Sequence, residues 1–142
     1  PRWGPRTWQG PRYDRWLTAN FAADFGFMAS RVARAEGPGT RGGSVCENGQ
    51  LTLRDHLDLT TDWSEDRHHR SIAATLGASD GRRWSFTGEV LSLVPLRNRR
   101  EGAVTRISEG LTRWTMENGR VGFGLSEYLD QIVDGAPVGI DE

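Results

Sequence analysis

The sequence predicts an antiparallel all-β domain whose strands run up and down in chain order and close into a barrel. Three observations predict it. Apolar and polar residues alternate over long stretches, which turns one strand face inward and the other toward water. Asn48-Gly49, Asp80-Gly81 and Asn118-Gly119 are dipeptides preferred in tight two-residue hairpin turns, because both residues tolerate positive φ. The apolar fraction is 36%, which suits half-buried strands better than continuously buried blocks.

The elements follow in order. Residues 1–14 carry Pro1, Pro5, Pro11, Gly4 and Gly10 and read as an irregular, Trp/Pro-rich N-terminal lead-in, since proline blocks helix interiors and sheet ladders alike. Its Trp3 and Trp8 are expected to pin it to the barrel wall or to plug one end. Trp16 to Phe21 reads as a strand. Phe25 to Arg34 reads as another, with Phe25, Phe27 and Ala29 on one face, before Gly37-Pro38-Gly39 breaks the chain. The three turns then join Gly42–Glu47 to Leu51–Trp63, Ser71–Ala78 to Arg83–Leu96, and Val104–Met116 to Arg120–Leu129.

Within Leu51–Trp63, Leu51, Leu53, Leu57, Leu59 and Trp63 share one face, with Asp55 the exception. Residues 126–133 are long enough for a short helix, but Val121, Phe123, Leu125, Glu127 and Leu129 continue a strand alternation. Two leading strands and three hairpins give about eight strands in one meander. A twisted sheet of that length closes on itself and removes its edges. The expectation is a lipocalin-like (calycin) barrel over residues 15–142.

Composition excludes several function classes. Net charge is −1, which argues against a nucleic-acid partner held through phosphates. All 18 basic residues are Arg, and only Arg97, Arg99 and Arg100 approach a cluster. A single cysteine, Cys46, leaves no internal disulfide framework and reads as a strand position. No stretch reaches the roughly 20 apolar residues of a membrane helix. No leader is visible, so the expected location is cytoplasmic.

Two stretches carry a family resemblance. One is Asn20-Phe21-Ala22-Ala23-Asp24-Phe25-Gly26-Phe27-Met28-Ala29-Ser30-Arg31. The other runs from Thr87-Gly88-Glu89-Val90-Leu91-Ser92 through Pro95-Leu96-Arg97-Asn98-Arg99 and Thr105-Arg106-Ile107-Ser108-Glu109-Gly110-Leu111-Thr112-Arg113 to Gly124-Leu125-Ser126-Glu127-Tyr128-Leu129-Asp130. They resemble the C-terminal half of largely uncharacterised bacterial proteins similar to the carotenoid 1,2-hydratase and AttH-like superfamily, which is built from two tandem lipocalin-like barrels. Trp3-Gly4-Pro5-Arg6-Thr7-Trp8 resembles that family's tryptophan-rich domain junction. A His usually precedes the Trp there. Here Pro1 and Arg2 stand in its place, so no role of that His carries over. The resemblance implies that a second lipocalin-like domain, or a second copy of the chain, is a partner.

Candidate chemistry centres on Glu89, Glu109 and Glu127, all within expected strands. A carboxylic acid inside an apolar barrel has a raised pKa and can protonate an alkene or epoxide. Aromatic faces can then stabilise the resulting cation. Hydratases, cyclases and isomerases of isoprenoids, which the resemblance implies, need that combination. The structural alternative is that each Glu pairs with an Arg and fixes register. Arg31 and Arg113 are candidates to anchor polar ligand ends, and Tyr128, Trp84, Trp114 and Phe27 to line a cavity. The same aromatics equally serve to fill a small barrel.

His56, His68 and His69 invite a metal reading. Only His56 with Asp58 shares a strand face, and no zinc-type spacing is present. Polar surface is the expected role, and neither a metal nor a cofactor is expected. The basic connection Leu96–Gly102 reads as solvated loop charge or as a contact for a phosphate or carboxylate. Gly122 and Gly124 inside a strand signal a bulge or a close backbone approach. Two functions follow: binding of an apolar small molecule (isoprenoid, steroid or lipid-like), with or without acid catalysis, or a non-catalytic barrel that contacts a partner. A cavity of roughly 300 Å³ or more separates them.

Overall fold

A computed structural model describes residues 7–141. They form ten strands: β1 (Pro11–Phe21), β2 (Phe25–Arg34), β3 (Thr40–Glu47), β4 (Gln50–Arg54), β5 (His56–Trp63), β6 (His69–Gly77), β7 (Arg83–Arg100), β8 (Ala103–Met116), β9 (Val121–Val133) and β10 (Ala136–Pro137). Among the described residues there is no helix, so none is long and apolar enough to cross a membrane. Every pairing is antiparallel, in the order β4-β3-β2-β1-β9-β8-β7-β6-β5, with β10 on β9.

The two ends of this path, β4 and β5, are successive stretches of one run of chain, separated only by Asp55. The sheet therefore curls round on itself, as a lipocalin-like barrel does. Nine strands on the path become eight staves when β4 and β5 are taken as one bent strand, which is the number the meander predicts. The ladder is interrupted at this seam. The expected helix-or-strand stretch 126–133 is strand.

Asp55 also reverses the alternation. Before it, even positions face inward: Arg54 is buried while Leu51 and Leu53 are 65% and 78% exposed. After it, odd positions do, and Leu57 is buried. The expectation of one continuous leucine face is thus corrected. One residue outside both ladders shifts a period-2 pattern to the other face.

Turn chemistry differs in detail from the expectation. Asn48 and Gly49 both have positive φ, at 51° and 81°, as a two-residue turn needs. The other two are three-residue loops, with Gly81 N–H bonded to Ala78 O and Gly119 N–H to Met116 O. Asp80 and Asn118 instead accept the backbone N–H two residues on, from Arg82 and Arg120. That side-chain bond holds them at negative φ and leaves the left-handed position to the glycine.

The lead-in is shorter than expected. β1 begins at Pro11, taking residues 11–14 into the sheet. Trp3 lies outside the described residues, and Trp8 is exposed. Residues 7–11 are held by polar bonds instead: Gln131 Nε2 donates to the carbonyls of Trp8 and Pro11, and Gln9 Nε2 to Asn98 Oδ1. The close-approach reading of Gly122 and Gly124 holds. A Cβ on Gly124 would lie 1.8 Å from Thr18 O, so only glycine lets β1 cross β9 there.

The interior has two unlike halves. One end is apolar, with Phe21, Phe25, Phe27, Leu57, Leu76, Phe86 and Trp114 in one cluster, which extends to Tyr128 and against which Leu59 and Trp63 pack. Phe27 stacks on Phe86 with centroids 4.1 Å apart and meets Trp114 edge-on at 5.2 Å. Losing such a ring costs about 3–5 kcal/mol. The other end is polar.

Candidate functional site

The polar end is assembled by register. Arg15 lies opposite Tyr128 on one side and Arg31 on the other, and Arg31 lies opposite Arg41. Opposed residues project to the same face, so one row across the wall reads Tyr128, Arg15, Arg31, Arg41. Tyr13 and Asp130 form the next row. Leu59, Thr61 and Trp63 on β5 approach from the far side of the seam.

Arg15 and Asp130 are 3% and 1% exposed and form a two-pronged pair, Nη2–Oδ1 at 2.8 Å and Nη1–Oδ2 at 3.0 Å. Arg15 also donates to Leu129 O and Gly139 O. Its guanidinium lies 4.5 Å from the Tyr128 ring centroid and 4.7 Å from that of Tyr13. A buried pair survives only when its remaining bonds are made in this way. Gly139 N–H completes it by donating to Asp130 Oδ1. A Cβ on Gly139 would lie 2.1 Å from Arg15 Nη2, so this glycine lets the C-terminal segment seat on the pair.

Beside it, Tyr128 bonds Thr61 Oγ1 through its hydroxyl at 2.6 Å. Burial pushes its phenol up to about 12. His69 stacks on the Tyr128 ring at 4.0 Å. Its Nε2 lies 3.1 Å from Ser126 O, which can only accept, so Nε2 carries the proton. Ser126 Oγ continues the chain to Thr112 Oγ1 at 2.6 Å. Burial depresses the imidazole to about 3. Gly110 makes room: a Cβ there would sit 2.9 Å from His69 Nε2.

A cavity of about 310 Å³ opens next to this network, lined by Tyr13, Arg15, Arg31, Leu59, Thr60, Thr61, Trp63, Gly139, Ile140 and Asp141. Arg31 is half-buried at its edge, 5.7 Å from the Tyr13 ring centroid, and among the described residues it makes no ion pair.

The structure brings two of the sequence-predicted site residues to this end: Arg31 lines the cavity and Tyr128 stands behind it. Phe27 and Trp114 lie in the apolar half. The guanidiniums of Arg54 and Arg82 each lie over the Trp84 ring, at 4.3 and 4.5 Å, and Trp84 lines a separate cleft of about 300 Å³ with Phe25 and Met116. Glu89 and Arg113 are exposed and pair with each other on the outer wall. Glu109 and Glu127 are half-buried, directly opposite one another on the same outer face. The expected carboxylic acid facing the interior is therefore not one of these three. Each follows a strand parity that points outward.

The histidines separate. His56 meets Asp58 at 3.0 Å on the outer wall. His68 Nδ1 bonds Ser108 Oγ. His69 is not polar surface, because the register shift between Asp62 and Trp63 turns it inward. Among the described residues no group of three or more His, Cys, Asp or Glu is placed to hold a metal ion.

Sequence reasoning missed Tyr13, Arg15, Trp63, His69, Asp130 and Gly139. The signal for Tyr13 and Arg15 was their parity with Leu17, Ala19 and Phe21. It went unread because prolines drew the strand boundary too late. No curated protein matches the chain. The sequence profile of a domain of unknown function, DUF7064, matches residues 3–132, and the chain belongs to that family.

Proposed function

We propose that this chain binds a small amphipathic molecule in the cavity at the polar end of the barrel. The observation that carries this reading is Arg31: a guanidinium without an ion-pair partner among the described residues, at the edge of a cavity whose lining joins Tyr13, Leu59, Trp63 and Ile140 to polar side chains, Asp141 among them. The apolar part of the ligand lies against Tyr13, Leu59 and Trp63, and its acidic or polar end meets Arg31. About 310 Å³ is at the lower end for ligand sites. A short isoprenoid or acyl chain fits this volume, and a full carotenoid does not. The resemblance to carotenoid hydratase-like proteins supports the isoprenoid choice. The placement of Glu89, Glu109 and Glu127 lends no support to acid-catalysed hydration, cyclisation or isomerisation, so the reading is binding.

Titration with geranic acid and decanoate, read by tryptophan fluorescence, tests it. Saturable binding that weakens about tenfold or more in Arg31→Gln is expected, the order of one lost charge-assisted contact. No saturable change in the unmodified chain overturns the reading.

One observation favours a second role, contact with another copy of the chain. On the outer wall Leu111 lies opposite Leu125, with Phe123 beside them, all about half exposed. Glu109 and Glu127 border this patch on one side and Arg113 on the other. A two-fold axis through the patch would bury these apolar side chains against their own copies. Sedimentation velocity is expected to show a dimer that Leu125→Arg dissociates. A monomer at all concentrations counts against it.

A further inference from the structure

Beside the ligand cavity lies a second cleft of about 360 Å³, which shares Tyr13 and Arg31 with it and adds Arg12, Arg34 and Arg41. Together the two linings carry five arginines and one acid, Asp141. Asp130 neutralises Arg15. Among the described residues, no ion pair or side-chain hydrogen bond is made by Arg31, Arg34 or Arg41. Arg31 and Arg41 are directly opposed across β2 and β3. Like charges so placed repel, less so where water screens them as at exposed Arg41, and an anion between them relieves that repulsion.

We infer that this rim holds a phosphate or sulfate monoester, with its dianionic or anionic head between Arg31 and Arg41 and its apolar remainder in the neighbouring cavity. The inference rests on the binding role proposed above and narrows it to a class of head group. Two forked guanidiniums match the several oxygens of a phosphoryl or sulfuryl group better than the two of a carboxylate. The head sits at the cleft that Arg31 shares with the cavity, so an attached chain reaches Leu59 and Trp63 without displacing the seated Gly139.

Isothermal titration with decyl phosphate, decyl sulfate, decanoate and decanol tests this, with inorganic phosphate alone and phosphatidate-containing vesicles as further arms. Decyl phosphate or decyl sulfate is expected to bind at least tenfold more tightly than decanol and several-fold more tightly than decanoate. Arg41→Gln, an exposed rim position that leaves the core intact, is expected to erase that advantage while decanol binding stays within twofold. Equal affinity of all four amphiphiles, or an unchanged preference in Arg41→Gln, overturns the head-group assignment and leaves the cavity reading standing. Absence of binding by every amphiphile, decanol included, overturns both. Inorganic phosphate binding as tightly as decyl phosphate overturns the amphiphile and leaves a plain anion site. Co-sedimentation with the vesicles overturns the soluble monoester in favour of a lipid head group.

Discussion

At the scale of single residues, burial decides which groups are chemically available. Arg15 and Asp130 have their hydrogen bonds made and hold the barrel end together. Arg31, one strand over, makes no ion pair among the described residues. His69 is held neutral by burial. This has a pH consequence with a definite sign. The unfolded imidazole titrates near the ordinary value of 6.5 and burial takes the folded one down to about 3. Between those values the unfolded chain binds the extra proton, so stability is fully present above the upper value and is lost as pH falls toward the lower. His68, also lowered by burial, acts in the same direction. Going from about pH 7.5 to about pH 4.5 is expected to cost about 2–3 kcal/mol through His69, measured by urea denaturation. His69→Gln should flatten most of that slope. An equal slope in the variant places the proton uptake elsewhere.

At the scale of elements, β4 and β5 show how far an alternation can be trusted. Read as one strand, residues 51–63 give a leucine face that looks continuous. Asp55 stands outside both ladders and divides it into an outer half and an inner half. Leu53→Ala is therefore expected to change stability by no more than about 0.5 kcal/mol, whereas Leu57→Ala should cost about 2–5 kcal/mol. Equal costs in chemical denaturation contradict the phase reversal. The hairpins were legible because Asn-Gly and Asp-Gly carry their own backbone preference. The Asp55 break was not, because the leucines on its two sides share a parity and hide it. Likewise Pro11, an edge-tolerated strand start, masked Tyr13 and Arg15.

At the scale of the whole molecule, the meander and its eight staves follow from local signals: strands pair with their neighbours in sequence except across the β4–β5 seam, and β1 pairs with β9. The division of the interior does not. Phe27 and Trp114 look like cavity-lining aromatics in the sequence, yet they pack into the core, while Trp84 lines a separate cleft at that end. The polar end is marked by arginines that the sequence spreads over β1, β2 and β3. Only register brings Arg15, Arg31 and Arg41 into one row. The acids followed the opposite course: Glu109 and Glu127 meet across β8 and β9, but on the outer wall, where they border an apolar patch. The proposed binding site thus stands at the polar end, apart from the main aromatic packing.

Side-chain NMR shifts of tryptophan indoles and leucine methyls, recorded during titration with decyl phosphate, show which end of the barrel takes the ligand. Saturating shifts at Trp63 and Leu59, with Trp114 and Leu76 unmoved, are the predicted result. Shifts centred on Trp114 and Leu76, or none near Arg31, would contradict it.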